Sequence, residues 1–167
     1  MLFLGAYFVL SVLYSVYLNF ALTTTYYPDF VTNLVAQQSS WVLKGFGYSM
    51  DLFQNTLNSS VYMQLENNYG VNIVEGCNSV SIIILFASFI IAFAERFKKT
   101  ILFLFAGATL IYAVNIARIA ILVVALHKYP QYESILHGVV FPGIIYSMVF
   151  LLWMIWVRSL KPKSINV

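Results

Sequence analysis

Apolar residues fill four stretches of the chain, about residues 2–22, 78–94, 100–126 and 139–157, and polar residues gather in the segments between them. A helix of about 20 such residues crosses a hydrocarbon core of about 30 Å. The pattern therefore predicts an all-α integral membrane protein, a four-helix transmembrane bundle forming a single domain over residues 1–167. An insertion of about residues 23–76 separates spans one and two. The first stretch has no basic n-region and is longer than the apolar core of a secretory signal, so it reads as a retained span.

Within the insertion, apolar residues between Phe30 and Phe53 recur at loosely helical spacing and are interrupted by Gly45 and Gly47. That is the pattern of an interfacial amphipathic helix pair lying against the membrane. From Val61 to Val74 the spacing turns to alternation, with Asn67, Asn68 and Gly70 in the middle. A short hairpin just ahead of Cys77 is predicted there.

Composition agrees with the pattern, since 61% hydrophobic and 9% charged residues cannot make the polar surface of a soluble domain. The net charge of +3 does not point to nucleic acid, because the few basic residues flank apolar runs, where orientation signals belong. Arg96, Lys98 and Lys99 lie between spans two and three, and Arg158, Lys161 and Lys163 follow span four. The other connections hold only Lys44 and Lys128, so both termini are expected in the cytoplasm and residues 23–76 and 127–138 outside it. A single cysteine, Cys77, excludes an intrachain disulfide and a cysteine-based metal cluster. No cofactor, metal or lipidation motif is present, and none is expected to be needed.

Candidate chemistry collects at the outer face. Cys77 opens span two, where a thiol meets the positive end of a helix dipole and unpaired amide donors, surroundings that suit a nucleophile. Gly76 before it permits a tight turn and would leave the sulfur approachable. Arg118 lies nineteen residues after Lys99, about 28 Å along a helix and hence near the outer hydrocarbon edge. Tyr112, Asn115 and Arg118 recur at three-residue spacing, so they share a face that should point into the bundle. His137 heads span four on the same side, and His127 beside Lys128 reads as an interface residue. Cysteine with histidine is the minimal machinery of a thiol hydrolase or acyl transferase, and a guanidinium can hold a developing oxyanion.

Val74-Glu75-Gly76-Cys77-Asn78, Asn115-Ile116-Ala117-Arg118-Ile119 and His137 with Phe141-Pro142 follow one another in order and membrane phase. Over about residues 71–157 this resembles the exosortase/archaeosortase group of membrane cysteine transpeptidases, and within it the short F-type exosortases of Bacteroidetes. The resemblance implies Cys77 as nucleophile, Arg118 as stabiliser and His137 as proton carrier; by position, Glu75 beside the cysteine and Asn115 and Tyr112 on the Arg118 face are candidate supporting residues. It implies, as partners in a bacterial inner membrane, secreted proteins with a C-terminal sorting signal, and transfer to an envelope acceptor on the periplasmic side. Many relatives have Gly two places after the cysteine, where this chain has Ser79, and an acidic residue after the histidine, where it has Gly138. The alternative expectation is a non-enzymatic membrane assembly or transporter-associated subunit, in which Arg118 and Asn115 form a structural network.

Overall fold

The computed structural model describes residues 1–21, 28–55, 59–66 and 69–160. Helix α1 (Leu2–Ala21) is followed by α2 (Phe30–Gly45) and by strands β1 (Met50–Asn55), β2 (Ser60–Leu65) and β3 (Tyr69–Ile73). A 3-10 turn (Glu75–Cys77) leads to α3 (Val80–Ala92) and α4 (Phe97–Lys128). The last helical run starts in a 3-10 turn (Pro130–Tyr132), passes through one α-turn, α5 (Glu133–Ile135), and a π-helical turn (Leu136–Val140), and continues as α6 (Phe141–Ser159).

Among the described residues, three helical segments are long and apolar enough to cross a membrane: Leu2–Ala21, Phe97–Lys128 and the continuous run Pro130–Ser159. Helix α3 is apolar but has 13 residues, a rise of about 20 Å, so it falls short of a full hydrocarbon core. Helix α1 packs on α3, which also packs on α4 and α6. Phe86 and Ile90 of α3, Ile111 of α4, and Val149, Leu152 and Trp156 of α6 form the buried seam. Most of α1 faces outward with large apolar side chains, as a lipid-facing helix requires.

The expectation of an all-α chain is corrected by the three-stranded antiparallel sheet, ordered β1-β2-β3. The expected hairpin is there as β2–β3, with Val61 opposite Ile73 and Met63 opposite Val71. Its driving force is alternation: Val61, Met63 and Leu65 are buried while Tyr62 and Gln64 are partly exposed. Gly70 lies inside β3, beneath the Tyr62 ring, and Asn67 and Asn68 fall outside the described residues. The expected pair of interfacial helices is one helix and one strand. Gly47, at φ +89°, turns the chain after α2, and Met50–Asn55 then pairs with β2. Asp29 starts α2 by accepting from the amides of Val31 (2.9 Å) and Thr32 (3.1 Å).

Helix α2 and the sheet close over the C-terminal half of α4. Val35, Ala36 and Leu43 of α2, the inner face of the sheet, and Ile119, Ala120 and Val123 of α4 make one core, and Cys77 belongs to it. At the other end Lys99 donates to the carbonyl of Ser159 and pairs with Glu95 at 3.2 Å, and Trp156 donates to the Phe93 carbonyl at 3.1 Å. The end of α3, the start of α4 and the end of α6 therefore meet, bringing Arg96, Lys98, Lys99 and Arg158 to one face.

Candidate active site

Cys77 is the last residue of the 3-10 turn, three positions before α3, so it does not head that helix as expected. Its amide donates to the carbonyl of Val74 at 2.8 Å, and the residue is 5% exposed, packed in the core between α4 and the layer of α2 and sheet. Gly76 is exposed, and a Cβ there would meet open space, yet the sulfur beneath is covered.

The residue after it organises the turn. Asn78 is 1% exposed, and its amide nitrogen donates to the Tyr14 hydroxyl of α1 (2.8 Å) and the Thr32 hydroxyl of α2 (3.1 Å). Its side-chain oxygen Oδ1 accepts from the amide of Val80, the first residue of α3, at 2.9 Å. One side chain thus fixes three elements around the cysteine. Ser79 stands at φ 65°, ψ 1°, in the left-handed region, with its hydroxyl donating to the Asn78 carbonyl at 2.6 Å.

Arg118 and Cys77 are joined through Asn115. The buried Asn115 amide donates to the Cys77 carbonyl at 2.7 Å and accepts from Arg118 Nη1 at 3.1 Å, across one turn of α4. Arg118 Nε is buried without a partner, so the guanidinium retains donor capacity inside the protein. Tyr112, one turn earlier, donates to Gln38 Oε1 at 2.7 Å and ties α4 to α2. Glu75 is partly buried, and its carboxyl is raised above the ordinary value, first by desolvation and second by the nearby Asp29 carboxylate.

His137 is not brought to the thiol. It is exposed, makes no hydrogen bond or ion pair among the described residues, and sits in the π-helical turn within a run that began at Pro130. The expected loop of residues 127–138 is therefore largely helical. The flanking Leu136 and Phe141 pack on Leu122 and Leu126 of α4, four and eight residues after Arg118. Cys77, Arg118 and His137 thus share one end of the molecule, with Arg118 on the α4 stripe between the other two. Glu133, one helical turn before His137, lines the same open cavity of about 530 Å³. Glu133 and His137 therefore open onto the same space. His127 lies 3.6 Å from Glu66 and anchors the end of β2 to α4.

The model of the transmembrane exosortases (Exosortase_EpsH) matches residues 2–157. The chain belongs to that family. No curated protein and no solved structure shows significant similarity to it. Membership makes this exosortase a membrane protein and suggests transpeptidase chemistry of the family's general, cysteine-dependent kind. Ser79 has a left-handed backbone conformation that glycine would adopt at no steric cost. Asn78, quoted above only as the last residue of the cysteine motif, has a bonding role that the motif does not assign. Its signal was an amide beside the cysteine, with polar Tyr14 and Thr32 in segments otherwise apolar enough to pack.

Proposed function

We propose that this exosortase is a cysteine transpeptidase of the short F-type, which cuts the C-terminal sorting signals of secreted proteins at the outer face of the bacterial inner membrane. It passes them to an envelope acceptor. Helices α1 and α4 and the last helical run, with the short α3 counted as a fourth crossing, would leave both termini cytoplasmic and the layer of α2 and sheet periplasmic. The gathering of Arg96, Lys98, Lys99 and Arg158 at one end supports that orientation. The observation that carries the reading is the link Cys77–Asn115–Arg118 inside a chain whose family match covers all three proposed residues.

In this reading the Cys77 sulfur attacks the scissile carbonyl while His137 takes the thiol proton. Arg118 stabilises the oxyanion, and its unpartnered Nε is the donor free to do so. Collapse of the tetrahedral adduct expels the amine, which receives its proton from His137, and leaves a thioester. Attack by the acceptor nucleophile on that thioester releases Cys77. Substrate docking has to open the cover over the sulfur and carry the His137 turn toward it, and π-helical turns are frequent at such adjustable sites.

Cys77→Ala is expected to leave insertion and folding intact and to abolish processing of a cognate substrate in cells, read as loss of the shortened product on a blot. Normal processing would remove the nucleophile assignment. The burial of Cys77 favours a second reading, a non-enzymatic membrane subunit with Asn115 and Arg118 as structural glue. Labelling with a membrane-impermeant thiol reagent separates the two. A sulfur unreactive at every pH, together with a fully functional Cys77→Ser, supports the subunit.

A further inference from the structure

Helices α2 and α4 end side by side at the outer end of the molecule, and an open groove of about 470 Å³ lies between them. That volume is within the range of a site for one small ligand. Leu43, Phe46, Ala120 and Val124 are among its apolar walls, and Lys128 and Tyr129 stand at its α4 end. Lys128 is the only charged residue among the described residues that line it. Lys44, in the last turn of α2 beside Leu43, is a second lysine at this end, and neither lysine pairs with a carboxylate among the described residues. The adjoining outer face of α2 leaves Trp41 63% and Phe46 78% exposed. Aromatic rings exposed beside lysines mark the level of lipid headgroups, where an apolar body and a charged tip are both accommodated.

The geometry points to a binding site for an anionic phospholipid, with an acyl chain along the groove and the headgroup phosphate at Lys128 and Lys44. Charge decides the occupant. The groove is apolar along its length and cationic at its rim, with no carboxylate lining it, which is the complement of an amphiphile with a negative head. The site does not depend on Cys77 and stands whether or not the chain is a transpeptidase.

The test uses the full chain reconstituted in nanodiscs of phosphatidylcholine and phosphatidylglycerol, then transferred to mild detergent for native mass spectrometry. Wild type is expected to retain phosphatidylglycerol in preference to phosphatidylcholine. K44A/K128A should bind it roughly thirtyfold more weakly, two lysines acting near a phosphate. Val124→Trp should displace it by filling the groove with the charges unchanged. Equal retention of the two lipids by wild type, or undiminished phosphatidylglycerol binding by K44A/K128A, overturns the site. So does a photo-crosslinker at Ile121 that captures a polypeptide rather than lipid. Both lysines are exposed, so K44A/K128A decides the matter if Val124→Trp does not fold.

Discussion

At the residue scale the turn after Cys77 is held by side chains in place of favourable backbone conformation. Ser79 bears a left-handed strain of about 1–2 kcal/mol, partly offset by its hydroxyl bond to the Asn78 carbonyl, itself worth about 1 kcal/mol. Ser79→Gly is therefore expected to leave stability unchanged within about 1 kcal/mol. Ser79→Val, β-branched at positive φ, should cost about 1–3 kcal/mol. Reversible unfolding in mixed micelles would check both, and equal stability of the two variants would contradict the strain. Glu75 gives a pH dependence. Its folded carboxyl is raised above the ordinary 4.5, so the folded state holds that proton more tightly than the unfolded one. Stability from this group is fully present below 4.5 and is lost as pH rises through the raised folded value. Glu75→Gln should therefore gain stability over wild type at neutral pH and lose that advantage in acid. Melting curves across pH would show the difference, and an advantage confined to low pH would reverse the sign.

At the element scale the contact of α3 with α4 depends on a missing side chain. A Cβ on Gly107 would stand 2.3 Å from Phe86 Cζ, and Phe86 is fully buried between Phe103 and the α6 seam, so its ring cannot swing away cheaply. Gly107→Ala is expected to cost about 1–3 kcal/mol, and Phe86→Leu in the same chain to recover part of it. Thermal unfolding of the single and double variants in detergent tests this, and strictly additive losses would deny the contact. Helices α1, α4 and α6 were legible because apolar runs of that length have few other uses. The β2–β3 hairpin was legible because its alternation has period two. Strand β1 was hidden because Met50–Asn55 is bracketed by turn residues and only Met50 is buried, so the strand is defined by its partner. Tyr112, Asn115 and Arg118 could be placed on one face by helical spacing alone. The burial of Cys77 could not be read, since it depends on a cap assembled from α2 and the sheet. The exposed, helical setting of His137 depends on a run beginning at Pro130, where a loop was expected.

At the scale of the whole molecule, α4 runs unbroken from the basic end to the cap. Asn115 stands sixteen residues after Lys99, about 24 Å along the axis, and it is hydrogen-bonded to the Cys77 carbonyl. Under the proposed function that distance is a built-in ruler. A substrate helix with its basic tail at the level of Lys99 would present to the sulfur the peptide bond about sixteen residues before that tail. Inserting four leucines into the apolar part of a sorting signal should then move the cut about one helical turn toward the tail, or stop it. Mass spectrometry of the released fragment measures the shift, and a cut that stays with its motif at full rate would mean that sequence, not depth, selects the bond.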